Sequence, residues 1–302
     1  MEQRNPRSRR HLCKLLGYSR QACYKQIKTE ERSRMESGLL LAEVARIREV
    51  QPRAGGRKLL HMLQSYIREH KLKIGMDAFF ELLREHDLLV SGRKRRVPRT
   101  TVSSHPYYKY ANLVKGLTPV APNQLWVSDI TYIRLREGFA YLSLVTDAYS
   151  RKIVGFELSD RPSAKGCLTA LKMALADNPS RDGQLIHHSD RGVQYCSGAY
   201  TGLLQGHRIA ISMTQSGDPR ENALAERVNG ILKGELLQKR YKHHRQARPL
   251  IRAAIRIYND DRPHSSINLL TPTSAHQGKG ELKRLWKSRY KRDKEKEATA
   301  DK

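Results

Sequence analysis

The sequence predicts an α/β protein in which a mixed sheet with flanking helices follows an all-α segment. Three observations lead to this class. Apolar residues recur with helical spacing over the first 90 residues, three β-rich runs follow one another after residue 121, and helices then alternate with single strands up to residue 240. The chain has 302 residues, 38% of them hydrophobic, which is enough apolar material for two or three domains.

The first 92 residues are predicted to form two helical segments. Residues 8–28 indicate a helix, a turn at Gly17 and a second helix capped by Ser19, which we assign to a helix-turn-helix segment at 1–35. Residues 36–92 contain three further helical stretches, LLLAEVARIREV, RKLLHMLQSYIREH and MDAFFELLREHDLL. We interpret them as a second helix-turn-helix domain.

Positive charge is concentrated at the two ends of the chain. The net charge is +27, from 57 Lys and Arg against 30 Asp and Glu. Residues 1–100 carry +13, residues 101–240 carry +5 and residues 241–302 carry +9. Such a field attracts a polyanion, so we expect double-stranded DNA as the partner and interpret the helical segments as DNA-binding domains. The basic residues expected to contact DNA in these segments are Arg20, Lys25, Arg57, Lys58, Arg93, Lys94, Arg95 and Arg96.

The segments around the core are basic. Residues 93–120 begin with a stretch that is rich in Ser, Thr and Pro without periodicity, which indicates a linker, and residues 241–302 contain one helix, a loop and a Lys/Arg-rich tail. The sequence has no run of 18 apolar residues, no apolar N-terminal stretch typical of a signal peptide, and no cysteine spacing typical of a zinc site. We therefore expect a reduced cytoplasmic protein with no membrane partner.

The predicted core spans residues 121–240. The β-rich runs WVSDITYIRL, FAYLSLVTDA and KIVGFELS are separated by tight turns and predict an antiparallel meander. They are followed by the helix SAKGCLTALKMALAD, the strand LIHHSD, the helix YTGLLQG, the strand IAISMT and the helix ALAERVNGILKGELL. Crossovers make the later strands parallel, and this order is that of the ribonuclease-H-like fold.

Three acidic residues of this core stand out by position. Asp129 lies in the middle of the first strand, Asp190 ends the fourth strand, and Glu226 lies on the last helix. Acids from two adjacent strands and a crossing helix can converge on one point. Phosphodiester chemistry needs hard divalent ions such as Mg²⁺ or Mn²⁺, and two ions about 4 Å apart can stabilise both the attacking and the leaving oxygen. The acids alone suit such a site without identifying it.

Other polar residues of the core are given structural roles. Asp147 is expected to cap the turn after its strand or to pair with a nearby arginine. The pair His187 and His188 is expected to have one buried and one exposed imidazole. Asn222 is expected to cap the last core helix. The loop DRPHSSINLLTPTSA is expected to be ordered rather than catalytic.

The motifs around the three acids resemble one family of proteins. W-x-x-D-I-T-Y, H-S-D-R-G-x-Q-Y and E-N-A-x-A-E-R-x-N-x-x-L-K resemble the DDE transposase and retroviral-type integrase superfamily, most of all the second-frame (OrfB) protein of the IS3 family of bacterial insertion sequences. The interval of 35 residues between Asp190 and Glu226 matches that family. GGRKLLHMLQ and YNDDRPHSSINLLTP resemble its helix-turn-helix segment and its C-terminal motif, so the resemblance covers most of the chain.

The resemblance implies a DNA transposase. Asp129, Asp190 and Glu226 would be metal ligands and catalytic residues, and Lys233, seven residues after Glu226, would contact DNA near the transposon end. The protein would bind terminal inverted repeats as a homo-oligomer, nick a 3′ end with water and join the freed 3′-OH to target DNA. It would act in the bacterial cytoplasm, in association with the nucleoid.

Two alternatives stay open. The chain could be a nuclease or resolvase of the same fold that hydrolyses without joining, or a DNA-binding regulator or OrfB-type modulator of transposition. Many relatives are fused by frameshift to an upstream OrfA-type protein that supplies a helix-turn-helix and a leucine zipper. This chain starts with its own Met and has no heptad run, so it is expected to be the downstream product alone or a variant that works unaided.

Overall fold

A computed structural model of the chain describes Cys13 and residues 17–91, 105–177, 185–215, 219–237 and 240–285. The chain divides into two compact units, one made of residues 1–50 and 54–90 and the other of residues 51–53 and 91–302. The described part of the first unit is helical, and the second contains a five-stranded sheet. None of the described helices is both long and apolar enough to span a membrane.

Four helices of the first unit lie within the described residues 17–91. They are α1 (Arg20–Val50), α2 (Gly56–Met62), α3 (Gln64–Glu69) and α4 (Met76–Glu85). Ser19 caps α1 as predicted, because its Oγ accepts a hydrogen bond of 3.0 Å from the backbone N–H of Ala22. The core consists of buried apolar side chains from all four of these helices and from the turns between them, among them Leu40, Val44, Leu59, Leu63, Ile67, Phe79 and Leu83. The predicted helical character of this region is therefore confirmed.

Helix α1 continues across the position where the sequence predicts a boundary, between residues 35 and 36. The stretch KTEERSRMESG contains no proline, and its single Gly38 costs a helix only about 1 kcal/mol. An ion pair of 2.7 Å between Arg32 and Glu36 joins two successive turns across the predicted boundary. The helix predicted over residues 57–70 is instead divided at Leu63 into α2 and α3.

The second unit contains the predicted mixed sheet. Its strands are β1 (Leu125–Arg134), β2 (Phe139–Asp147), β3 (Ile153–Ser159), β4 (Ile186–Ser189) and β5 (Ala210–Met213), in the order β3-β2-β1-β4-β5. Strands β1 to β3 pair antiparallel, whereas β4 is parallel to both β1 and β5. This arrangement of three antiparallel strands extended by two parallel ones confirms the ribonuclease-H-like core.

Helices cover both faces of this sheet. On one face, α5 (Ala164–Ala176), α6 (Val193–Cys196) and α7 (Gly198–Gly206) form a core with Trp126 of β1. A Cβ at Gly155 would lie 2.0 Å from the carbonyl oxygen of Ala170, so glycine lets α5 pack directly on β3. On the other face, α8 (Ala223–Ile231) and α9 (His244–Asp260) pack against side chains of β1, β2 and β3.

The C-terminal segment packs on the sheet of the second unit. Ile251, Ile255 and Tyr258 of α9 belong to the same buried cluster as Leu142 and Leu144 of β2. The division predicted at residue 241 therefore does not separate α9 from the core. The loop predicted after α9 contains a 3₁₀ turn (Ser265–Ile267) and the short helix α10 (Pro272–His276).

Candidate active site

The register of the sheet places Asp129 and Asp190 beside each other. Strands β1 and β4 pair in parallel with Leu125 opposite Ile186 and Val127 opposite His188. Asp129 and Asp190 follow Val127 and His188 by two residues each. Because neighbouring strands lie about 4.8 Å apart and paired positions face the same side, the two carboxylates project from adjacent positions of the sheet.

Helix α8 presents Glu226 to the same place. Nδ2 of Asn229 donates a hydrogen bond of 2.7 Å to Oδ2 of Asp129, and Nδ2 of Asn222 donates one of 3.0 Å to the carbonyl oxygen of Ser128. Glu226 lies four residues after Asn222 and three before Asn229, and residues at these spacings share one helix face. Glu226 therefore lies beside the two amides that contact β1, on the exposed margin of that contact.

Asn222 occupies the N-cap position of α8, but its side chain forms no capping hydrogen bond there. The expected capping role is thus corrected: the amide is used to bind the β1 backbone. Its side chain is buried, and the contact holds the start of the helix at the residue next to Asp129. The effect is to position the acid-bearing helix rather than to satisfy its own first N–H groups.

The three acids interact electrostatically. Burial raises the pKa of Asp129 from 3.8 to about 7, and the charge of Asp190 adds to this rise. Glu226 makes a smaller contribution of the same sign, while hydrogen bonds from the backbone N–H of Ile130 and from Asn229 act in the opposite direction. Like charges shift each other's pKa mainly at short range, so Asp190 and Glu226 both lie within electrostatic reach of Asp129.

The donor atoms at this site suit a hard divalent cation. Asp190 is partly exposed, with Oδ1 accepting a hydrogen bond of 3.0 Å from the backbone N–H of Gly192, and Glu226 is exposed. Within the described residues, no three side chains of the Asp, Glu, His or Cys type are grouped closely enough to hold one ion. Mg²⁺, however, is usually bound by one or two carboxylates together with water and substrate phosphate. Oxygen donors with excess negative charge fit such an ion.

Lys233 lies where the last core helix changes its winding. The sequence predicts one regular helix through residue 237, but α8 ends at Ile231 and a π-helical turn, Leu232–Leu236, follows. Its hydrogen bond runs from the N–H of Leu237 to the carbonyl oxygen of Leu232, at 2.8 Å. Burial of the ammonium lowers the pKa of Lys233, and the charge of Asp129 opposes that change. The ammonium is therefore within electrostatic reach of Asp129.

A buried ion pair connects this π-helical turn to the C-terminal loop. Nε and Nη2 of Arg262 each donate a hydrogen bond of 2.9 Å to the carboxylate of Glu235. The Arg262 side chain is only 2% exposed. The sequence predicts an ordered loop here, and this pair is one reason for the order. It also fixes the turn that carries Lys233.

Both imidazoles of the His187–His188 pair are buried, so the expectation of one exposed ring was wrong. Nε2 of His187 lies 2.7 Å from the Ser128 hydroxyl, and Nδ1 of His188 lies 2.9 Å from the Ser212 hydroxyl. Burial lowers the pKa of His187 to about 3 and lowers that of His188 as well. Both rings are neutral supports of β4, a strand flanked by β1 and β5.

Asp147 has the structural role expected of it. Its Oδ1 accepts hydrogen bonds of 2.7 Å from both the backbone N–H and the hydroxyl of Ser150. Its Oδ2 accepts one of 2.7 Å from the backbone N–H of Asn123. This fully buried carboxylate closes the turn after β2.

The remaining predicted DNA contacts are divided equally between the two units, with Arg20, Lys25, Arg57 and Lys58 in the first. Lys25 is exposed on α1, Arg57 is exposed in the first turn of α2, and Lys58 is half-buried beside it. The side chain of Arg20 and the whole of residues 93–96 (Arg93, Lys94, Arg95 and Arg96) lie outside the described part of the chain.

Sequence reasoning assigned no role to Asn229, which the structure places on Asp129. The position of Asn229 near the acids could have been predicted from helical spacing. Residues 222, 226 and 229 recur at intervals of four and three, which puts two amides on the same face as Glu226. Polar side chains on the buried face of an otherwise amphipathic helix point to a function at that face.

Comparison with known proteins agrees with the site. The integrase core domain matches residues 119–219, and a second model of that domain matches residues 207–272. The 31 kDa protein of insertion element IS600 from Shigella sonnei is 33% identical over 268 residues, covering 87% of this chain and 96% of that protein. Transposase InsF for insertion sequence IS3A from Escherichia coli K12 is 38% identical over 156 residues, covering 50% of this chain and 53% of InsF.

The HTLV-2 integrase catalytic core domain, solved in complex with magnesium, is also similar. It has a TM-score of 0.42 and 18% identity, covering 53% of this chain and 99% of that domain. The chain spans almost the whole IS600 protein but only about half of InsF. With the IS600 relative matched over nearly its full length and the integrase core domain covering the three acids, the chain belongs to the IS3-family DDE transposases.

Proposed function

We propose that the protein binds the ends of an insertion sequence, nicks them and joins each freed 3′-OH to another DNA strand. The observation that carries this proposal is the placement of Asp129 and Asp190 at adjacent positions of the sheet, with Glu226 near enough for its charge to act on Asp129. A site that gathers negative charge at a partly open edge suits cation-assisted chemistry on phosphodiesters. The sheet order and the membership of the family support the same reaction class.

Two of the three acidic residues are held by hydrogen bonds from the protein. Asp129, Asp190 and Glu226 would hold one or two Mg²⁺ or Mn²⁺ ions, which when bound polarise the scissile phosphate and lower the pKa of the attacking hydroxyl group. Asn229 holds one oxygen of Asp129, and the N–H of Gly192 holds one oxygen of Asp190. These contacts limit the rotation of both carboxylates.

Each of the two steps forms one phosphorus–oxygen bond and breaks one. Water attacks phosphorus at the end of the element, which releases the 3′-OH of the element and leaves a 5′-phosphate on the flanking DNA. The freed 3′-OH then attacks a phosphodiester of the target and releases a 3′-OH there. Neither step needs an oxidant or a covalent enzyme intermediate.

DNA binding and the assembly of several protein copies are also part of the proposed function. Lys233 would grip a phosphate next to the scissile one, and the basic helical segments would bind terminal inverted repeats. A homo-oligomer would bring two ends and the target together. An upstream OrfA-type protein is the remaining candidate partner.

The test uses labelled duplexes that carry the inverted repeats flanking the reading frame, incubated with the full-length protein and Mg²⁺ or Mn²⁺. The proposal predicts nicked and joined products from the wild type and neither from the Asp190→Asn variant. Nicked DNA without joining would indicate a hydrolytic nuclease of the same fold. A shift in mobility without cleavage, even after addition of the upstream-frame protein, would indicate a regulator.

A further inference from the structure

Helix α9 exposes a row of four arginines that plays no part in the site described above. Arg245, Arg248, Arg252 and Arg256 are all exposed. With 3.6 residues per turn they fall within an arc of about 80° and extend about 16 Å along the helix. Another side of α9 carries its buried apolar residues, so the row lies on a well-anchored helix.

Among the described residues, most of this charge has no counter-charge. Arg248 donates hydrogen bonds to the carboxylate of Glu157 and to the carbonyl oxygen of Leu158. For Arg245, Arg252 and Arg256, the described part of the chain offers no ion pair. Like charges one turn apart destabilise a helix by a few tenths of a kcal/mol per pair, so the row is unfavourable without a counter-charge.

The only acid within α9 does not offset the row. Asp260 is the last residue of the helix, and its Oδ1 accepts a hydrogen bond of 2.7 Å from the hydroxyl of Thr273. The charge pattern of the exposed face is therefore positive over its whole length. Such a face is complementary to a polyanion.

The row lies along one edge of the sheet. Arg248 reaches Glu157 and Leu158 of β3, which is an edge strand. Helix α9 also covers the same sheet face as α8, which carries Glu226. The arginines are thus separate from the three acids but belong to the same side of the catalytic unit.

We propose that the arginine row of α9 binds the phosphate backbone of a DNA duplex without reading its sequence. Guanidinium groups match phosphate oxygens in geometry and stay charged at all relevant pH values. Duplex DNA carries about one charge per 1.7 Å, so a row about 16 Å long faces several phosphates. Gln246 is the one Asn or Gln between Arg245 and Arg256, and its side-chain oxygen already accepts a hydrogen bond from the backbone N–H of Lys242. The inference rests on the proposed function in taking DNA as the polyanion.

An anionic membrane surface fits this face less well. Interfacial helices combine a basic face with a broad apolar one left free for lipid. In α9 the broad apolar side is buried against the sheet, and Leu250 is its one exposed large hydrophobic residue.

The test compares two triple variants of the full-length protein with equal loss of charge. R245Q/R252Q/R256Q removes the uncompensated part of the row, and R161Q/K165Q/K172Q removes three exposed charges beside and on α5, across the sheet. Affinity for an element-end duplex and for an unrelated duplex is measured without metal over a range of salt concentrations. Melting temperatures confirm that both variants fold.

The α9 variant is expected to lower the slope of log affinity against log salt by about 2 to 3 for both duplexes, because each lost phosphate contact removes about 0.9. The α5 variant is expected to keep the wild-type slope. An unchanged slope for the α9 variant, or an equal decrease in both variants, would overturn the proposal. A loss confined to the element-end duplex would overturn its sequence-independent character.

Two further outcomes would give the arginine row a role other than DNA binding. An unchanged slope together with lost self-association in sedimentation would make the row a contact between protein copies, and lost binding to anionic vesicles would make it a membrane contact. Because the assay contains neither metal nor a joining step, a failure of the joining reaction leaves its result intact. A wild-type protein that binds no DNA would overturn both proposals.

Discussion

Nδ2 of Asn229 donates a hydrogen bond of 2.7 Å to Oδ2 of Asp129 and so ties helix α8 to the central strand at a catalytic candidate. The other oxygen, Oδ1, accepts a hydrogen bond of 2.9 Å from the N–H of Ile130. Both bonds favour the ionised carboxylate against burial and against its acidic neighbours. Asn229 therefore both positions helix α8 on β1 and stabilises the ionised form of Asp129.

Replacing Asn229 by Leu keeps a similar volume and removes the donor. Asp129 should become harder to ionise and free to rotate, so joining should fall about 10- to 100-fold and require more Mg²⁺. The joining rate is measured as a function of Mg²⁺ concentration, with DNA affinity measured in parallel. A variant whose Mg²⁺ requirement matches the wild type would show that the bond does not position the acid.

The raised pKa of Asp129 predicts that the free energy of unfolding of the metal-free protein depends on pH. Between about pH 4 and pH 7 the folded protein holds a proton that the unfolded chain has released, so stability falls as the pH rises through this window. Asp129→Asn should therefore raise the melting temperature at about pH 8.5 and change it little at about pH 4.

Thermal unfolding at both pH values, with chelator present, measures this effect. Mg²⁺ added at about pH 8.5 should stabilise the wild type more than the Asn variant, because ligand binding to the folded state shifts the equilibrium. An Asn variant that is less stable than the wild type at the higher pH would contradict the assigned pKa direction.

Lys233 should act by its positive charge. Lys233→Ala should weaken binding of end DNA and reduce joining, and Lys233→Arg should restore much of both, since phosphate contact needs a cation rather than a proton donor that can ionise. Affinity and joining rate are measured for both variants. Normal binding in the Ala variant with no rescue by Arg would indicate proton transfer, and unchanged values would make Lys233 a solvated side chain.

The Arg262–Glu235 pair should be important for stability. Glu235→Gln leaves a guanidinium that is 2% exposed without its counter-charge, a change that typically costs about 3–5 kcal/mol. Glu157→Gln, which removes the partner of the more exposed Arg248, should cost about 1 kcal/mol or less. Urea unfolding followed by tryptophan fluorescence compares the two variants, and equal losses would contradict the structural importance of the buried pair.

Local patterns predicted the elements of the catalytic unit well. The first strand was expected over residues 126–135 and runs over Leu125–Arg134, because a β-rich run bounded by a tight turn marks it in the sequence. The helix around Glu226 was also expected from its apolar stripe. The register that sets Asp129 beside Asp190 was not predicted, since it depends on pairing between strands about 60 residues apart.

Features that depend on distant partners were missed for the same reason. The π-helical turn is fixed by Arg262, which lies 27 residues after Glu235, and nothing in LKGEL itself predicts it. The burial of both His187 and His188 follows from the two strands flanking β4. The continuity of α1 was missed because residues 29–38, which lie between two helical patterns of the sequence, contain only one large apolar residue, Met35.

The joining rate of three variants of similar shape tests the central claim most directly. Asp129→Asn, Asp190→Asn and Glu226→Gln each keep the shape of the side chain and remove one anionic ligand. Measured in Mg²⁺ at equal DNA occupancy, each should join at least about 100-fold more slowly than the wild type, while binding end DNA with a Kd near the wild-type value. If any one of the three joined DNA at a near-normal rate, that residue would not belong to the catalytic set.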